Sequence, residues 1–180
     1  MSTNYYMRIF DKKIVDKYFP FKDYEEEEMD GDLVIVENNK RCIIEHPNSY
    51  LVHIGKRSSG WLPLFQAHKT AYNSVMELKN FLREHPEIQI EDEYENSMTL
   101  KELQEEFFNW GKNSPHYRYK RIMRPHGGYT LERAEDDYKG PCIQGPLSHI
   151  EYMKFLEEGS PYITYTKDAD GYEFTDGDFS

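Results

Sequence analysis

The stretch from Ser49 to His68 constrains the fold of this chain more than any other. Two apolar runs, Tyr50 to Ile54 and Trp61 to Phe65, flank a polar segment, Gly55-Lys56-Arg57-Ser58-Ser59-Gly60, that begins and ends with glycine. Apolar runs this short suit strands, and a glycine-bounded polar interval suits a turn. The pattern therefore predicts two antiparallel strands joined by an exposed loop over 55–60. The same loop is the leading site candidate. Lys56 and Arg57 bring two cations, Ser58 and Ser59 two hydroxyls, and Gly55 and Gly60 unobstructed backbone N–H groups, with His53 and Trp61 at the ends. Such a set suits an anion, a phosphate or carboxylate on a small ligand.

The neighbouring sequence extends this pair into a sheet. Leu33 to Val36 and Arg41 to Glu45 flank Glu37-Asn38-Asn39-Lys40, a hairpin signal because asparagine tolerates positive φ. With the two central strands this predicts a four-stranded antiparallel meander, preceded by a first strand over Tyr5 to Phe10 and an apolar-patterned segment over Ile14 to Phe19. Helices start at capping boxes: Ser74-Val75-Met76-Glu77, Thr99-Leu100-Lys101-Glu102 and Ser148-His149-Ile150-Glu151. Val75, Leu78, Phe81 and Leu82 form one apolar stripe, and Leu100, Leu103, Phe107 and Trp110 another. Ile88 to Ile90 and Tyr129 to Leu131 are short strand candidates, and Tyr162 to Thr166 with Tyr172 to Phe174 a closing hairpin around Asp168-Ala169-Asp170-Gly171. The expectation is a single α+β domain over 1–180, an antiparallel sheet of hairpins packed with two or three short helices. Its core would be aromatic, since the chain has 15 Tyr and 10 Phe.

Charge sets the class of partner. Lys plus Arg number 22 against 33 Asp plus Glu, a net charge of −11, which disfavours nucleic acid and anionic membranes and favours basic proteins. The acids cluster. Residues 23–32 read as a solvated acidic loop in which Glu25, Glu26, Glu27, Glu28, Asp30 and Asp32 are candidates for binding a basic partner, and 175–180 forms an acidic tail. The opposite sign concentrates in Lys112 to Arg124, where Arg118, Lys120 and Arg121 alternate with Tyr117 and Tyr119. That segment could follow a phosphate backbone while its rings stack on bases, or lie against the acidic loops of this same chain.

Several chemistries are unsupported. No Walker A spacing precedes Lys56, and Ser58 or Ser59 with His53 or His68 lacks a third, orienting group. The calcium-like Asp168-Ala169-Asp170-Gly171 has no downstream bidentate glutamate, so it reads as a turn. Cys42, His46, His53 and His68 are the only metal-type cluster near the loop, and they do not make four convergent ligands by spacing. No metal and no cofactor is expected. Cys42 and Cys142 are the sole cysteines, which excludes a disulfide framework and makes a reducing cytoplasm the expected compartment. No apolar run approaches the roughly 18 residues of a membrane span, and the N-terminal residues do not resemble a signal peptide.

The segment His53-Ile54-Gly55-Lys56-Arg57-Ser58-Ser59-Gly60-Trp61, a helix beginning near Ser74, the block Ile90-Glu91-Asp92-Glu93-Tyr94 and the ending Gly177-Asp178-Phe179-Ser180 resemble a group of small uncharacterised proteins of tailed phages and prophages. That resemblance implies a phage setting and no activity. Relatives of that kind carry a Cys-x-x-Cys pair before the His-Ile-Gly-Lys segment. Here Cys42 and His46 stand without such a pair, and Leu62 occupies a position where those proteins tend to have cysteine. The expected function is then that of an acidic accessory protein of the host cytoplasm. It would bind a host factor stoichiometrically, in takeover or counter-defence, by presenting carboxylates to a basic surface, a mode that includes nucleic-acid mimicry. The alternatives are a nucleotide or phosphate binder or enzyme using 55–60, and direct nucleic-acid binding through Lys112 to Arg124. Metal analysis of the purified protein should return no stoichiometric zinc; about one zinc per chain would overturn the ligand count.

Overall fold

Alternation in Asn4-Tyr5-Tyr6-Met7-Arg8-Ile9 decides how the first strand sits: Tyr5, Met7 and Ile9 are buried among apolar neighbours, while Asn4, Tyr6 and Arg8 face the other way. The computed structural model describes residues 1–20, 23–27, 33–37, 40–44, 49–157, 164–177 and 179, with 33–37 and 40–44 as backbone only. Within these the order is β1 (Ser2–Ile9), α1 (Lys12–Tyr18), β2 (Glu25–Glu27), β3 (Leu33–Glu37), β4 (Lys40–Ile44), β5 (Ser49–Ser58), β6 (Leu64–Gln66), α2 (Val75–Glu84), β7 (Gln89–Asp92), β8 (Ser97–Met98), α3 (Leu100–Leu103, continuing as a π-helical turn over Gln104–Phe108), β9 (Arg118–Met123), β10 (Tyr129–Arg133), β11 (Ile143–Gln144), α4 (His149–Phe155), β12 (Tyr165–Lys167) and β13 (Glu173–Thr175). This is an α+β fold whose sheets are mostly antiparallel, as the sequence predicts.

The strand order differs from a meander. The main sheet runs β12-β13-β6-β5-β1-β7-β8, with β2 pairing the N-terminal half of β5. The expected neighbour of β5 is the preceding hairpin, but β3 and β4 pair only with each other among the described residues, and β5 pairs instead with β1 along its whole length. Alternating hydrophobicity specifies which face of a strand is buried. It does not specify which strand lies beside it. β6 pairs antiparallel with β5 and parallel with β13, so the closing hairpin of β12 and β13 joins the sheet at one edge. A second sheet, β10-β9-β11, holds part of the basic segment.

The predicted loop over 55–60 is shorter than its composition suggests. Gly55, Lys56, Arg57 and Ser58 continue β5, and only Ser59 and Gly60 make the turn, with Gly60 at φ +82° and Trp61 N–H returning to the Ser58 carbonyl at 3.1 Å. Trp61 to Leu64 is likewise not a continuous strand, since β6 begins at Leu64. Gly55 serves packing rather than turning. Tyr6 pairs with His53 and Tyr5 with Gly55, leaving Ile54 as the extra residue of a β-bulge. The bulge turns Gly55 toward the core, where a Cβ would collide with the Leu64 carbonyl oxygen and the Phe107 ring.

The helices start where their caps predict. Thr99 and Glu102 form the reciprocal box, Ser74 accepts from Glu77 N–H, and Ser148 accepts from Glu151 N–H. Glu77 differs in detail, accepting from Asn73 N–H, one residue before the cap. Residues of α1, α2 and α3 share one core with the inner face of the sheet. Its centre is aromatic: Phe65 lies 4.6 Å from Phe107, 5.3 Å from Phe108 and 5.2 Å from Phe174 between ring centroids, and Tyr5 stacks on Phe107 at 4.8 Å. Each such pair contributes about 0.5–1.5 kcal/mol beyond area burial. Gly55→Ala should therefore destabilise the protein by about 1–3 kcal/mol, an overpacking cost, read as a lowered urea midpoint at unchanged slope.

Candidate functional site

Among the described residues the helices pack on one face of the main sheet, and the other face carries polar side chains. Residues paired across strands share a face, and the register collects Glu25 and Glu27 of β2, Leu51 and His53 of β5, Tyr6 and Arg8 of β1 and Glu91 of β7 on that side. With Gln66 of β6 they floor a cleft of about 540 Å³, and Asp23, Tyr24, Ala67, His68, Asp92, Glu93, Glu95 and Asp176 complete its lining. Eight carboxylates line it: Asp23, Glu25, Glu27, Glu91, Asp92, Glu93, Glu95 and Asp176.

Arg8 sits at the bottom, 8% exposed, beside Glu91 at 5%. Its Nε lies 3.0 Å from both Glu91 oxygens and Nη2 donates to Glu91 Oε1 at 2.6 Å, while Nη1 donates to Glu27 Oε2 at 2.8 Å and Ser49 Oγ at 2.7 Å. One guanidinium thus ties β1 to β7 on one side and to β5 and β2 on the other. The Glu91 hydrogen bonds push its pKa further up, so it stays charged.

His53 is the second hub. Its Nδ1 lies 3.2 Å from Gln66 Oε1, its Nε2 3.1 Å from Asn4 Oδ1, and its ring contacts those of Tyr6 at 5.2 Å and Phe179 at 4.8 Å. Beneath it, buried His68 donates Nε2–H to the His53 carbonyl at 2.7 Å, and burial lowers the His68 pKa, keeping the imidazole neutral. His68 is committed to the fold rather than poised as a base for Ser58 or Ser59. Asp92 is drawn down despite the upward push of partial burial, because the Asn96 side chain and the Asn96 and Tyr94 backbone N–H groups bond its carboxylate.

The sequence-predicted anion loop does not stay together. Past the bulge the alternation is out of phase, so Lys56 and Ser58 share the open side of the sheet with His53 while Gly55 and Arg57 turn to the helices. Arg57 stacks over Trp110 at 4.4 Å and donates to the Glu106 carbonyl at 3.2 Å. Lys56, Ser58 and Trp61 line a separate pocket of about 190 Å³ with Leu62, Leu64, His149, Tyr165 and Phe179. There His149 lies between Trp61 at 4.6 Å and Tyr165 at 5.7 Å, with Nδ1 3.5 Å from Glu173. Buried Glu173 also accepts from the Ser148 hydroxyl and from the His149 and Ile150 N–H groups. Burial pushes its pKa up, but these donors and the His149 side chain bring it below the usual range.

The acidic segment also departs from a free loop. Glu25–Glu27 form a strand on β5, with Glu27 bound to Arg8, and Glu28, Asp30 and Asp32 lie outside the described residues, as do His46 and the side chain of Cys42. In the basic segment, Lys120 pairs with Glu135 at 2.8 Å, Arg121 with Glu157 at 3.1 Å, and Arg118 donates to the Tyr138 carbonyl. Three of its cations are thus engaged within this chain. Among the described residues, no three His, Cys, Asp or Glu side chains converge as a metal site, and no helix is long and apolar enough to cross a membrane. Comparison with protein-family models, curated proteins and solved structures finds no match.

Sequence reasoning missed Arg8, Asn4, Gln66 and Glu91 as site residues. One signal was present: an arginine set between Met7 and Ile9 marks a strand with a polar face. Arg8→Leu should cost about 3–5 kcal/mol by leaving Glu91 buried without its cation, read by urea unfolding. Glu135→Ala, which removes the exposed partner of Lys120, should leave the midpoint unchanged.

Proposed function

We propose that the protein acts by stoichiometric binding of a basic host protein through the acidic cleft, as an accessory protein in the phage setting that the resemblance implies. The observation that supports this reading is the surplus of carboxylates on a rigid, concave sheet face. Glu27 and Glu91 are spent on Arg8, which leaves Asp23, Glu25, Asp92, Glu93, Glu95 and Asp176 facing the cleft. Carboxylates held on strands and tight turns attract lysines and arginines without the ordering cost of a flexible acidic loop, and together they speed encounter. Tyr6 and Tyr24 add aromatic surface on which a guanidinium can lie.

A second reading keeps a specific observation. Lys56, Ser58 and Trp61 share the smaller pocket with His149, and among the described residues no carboxylate pairs with Lys56. At about 190 Å³ this pocket suits a phosphate or carboxylate group rather than a whole nucleotide.

Reversal of exposed cleft charges separates the two. Glu27 is left intact, because a lysine there would face Arg8, and Arg57 is left intact because it packs on Trp110. Glu25→Lys with Glu95→Lys should weaken binding of the stoichiometric host partner by about tenfold or more and flatten its salt dependence, while Lys56→Ala leaves it unchanged. Isothermal titration across a salt series checks this. Full binding by the double variant, with loss on Lys56→Ala, would replace the partner reading by the anion reading.

A further inference from the structure

Each ring nitrogen of His53 faces an amide oxygen, Nδ1 that of Gln66 and Nε2 that of Asn4. A neutral imidazole, with one N–H and one lone pair, would need one of those amides turned over to present its NH2. Neither amide can turn without loss. Asn4 Nδ2 donates to Glu93 Oε2 at 3.1 Å, and an ionised carboxylate only accepts. Gln66 Nε2 donates to the carbonyl oxygens of Thr175 and Gly177 at 3.2 and 3.1 Å, which also only accept. Turning either amide would set oxygen against oxygen. Both ring nitrogens are therefore required as donors, which only the imidazolium provides.

The surroundings favour the same charge. From β1, Arg8 is neutralised by Glu27 and Glu91. Among the described residues, the segments carrying Asp23 and Glu25, Asp92, Glu93 and Glu95, and Asp176 present carboxylates as their charged groups to the cleft, and Tyr6, Tyr24 and the His68 imidazole are neutral neighbours. We propose that His53 is held as an imidazolium and that its proton latches the C-terminal residues Thr175 to Gly177 and Phe179 onto the edge of the cleft. Loss of the proton places a lone pair opposite an amide oxygen. Turning Asn4 would set its oxygen against the ionised Glu93, so relief comes by turning Gln66, which breaks both bonds to Thr175 and Gly177, beside which Phe179 lies against the His53 ring. The latch is fully formed below the ordinary histidine value of about 6.5 and is lost as pH rises through the higher value in the folded protein. This goes beyond the binding function and does not depend on a partner.

Long-range ¹H–¹⁵N spectra of the imidazole nitrogens in the full chain, between about pH 5 and 9, test it. At neutral pH both His53 nitrogens should show protonated shifts. The His53 midpoint should lie about one pH unit or more above 6.5, a tenfold or greater gain in proton affinity. The Gln66 side-chain NH2 and Phe179 ring resonances should move with that midpoint, and Asn4→Leu should lower the proton affinity about tenfold. A lone-pair nitrogen at neutral pH with a midpoint at or below about 6.5 overturns the imidazolium. Gln66 and Phe179 resonances that stay fixed while His53 titrates overturn the latch. The wild-type titration decides both points, so neither rests on a variant folding.

Discussion

The polar face of this protein depends on one buried cation. Arg8 lies in the middle of a strand whose alternate residues are core, and its guanidinium is removed from water only because Glu91, Glu27 and Ser49 supply acceptors to each of its nitrogens. A lone buried charge of this kind would be prohibitively costly, and the planar fork of arginine suits a carboxylate on either side. The partners come from strands widely separated in sequence. Formation of the network therefore requires β2, β5, β1 and β7 to be in register together, which links the geometry of the cleft floor to folding of the whole sheet.

The bulge at Ile54 is the second constraint. A regular β5 would put His53, Gly55 and Arg57 on one face; the extra residue exchanges the faces beyond it. His53 and Lys56 consequently stand on the same side, one serving the large cleft and the other the small pocket, while Arg57 becomes a structural residue against Trp110. Gly55 is required there because the Phe107 ring and the Leu64 backbone occupy the space a side chain would need. The aromatic core and the polar site thus meet at one residue.

Electrostatically, the cleft divides its carboxylates between two tasks. Glu27 and Glu91 stabilise Arg8, and Glu93 orients Asn4 toward His53; the others have no comparable internal cation among the described residues. Carboxylates that close internal networks fix shape, and those left over give the face its charge. This division accounts for an acidic surface on a sheet that nonetheless packs tightly, since the cations nearest to the acids sit beneath them rather than beside them.

The sequence by itself determined the α+β class, the hydrophobic stripes of α2 and α3, the helix starts at Ser74, Thr99 and Ser148, and the closing hairpin. Each is a local matter of cap chemistry, periodicity or turn residues within a few positions of one another. Clustered acids were also legible, but not their structure: Glu25–Glu27 become a strand because the edge of β5 offers unpaired backbone groups, and Glu27 is paired with an arginine nearly twenty residues away in sequence. Only the tertiary structure decided that β1 lies beside β5, that Gly55 is core rather than turn, and that Asn4, His53 and Gln66 meet. Strand partners and register are set by which pairing buries the most apolar surface while satisfying every polar group. That is a property of the whole chain, and no window of sequence contains it.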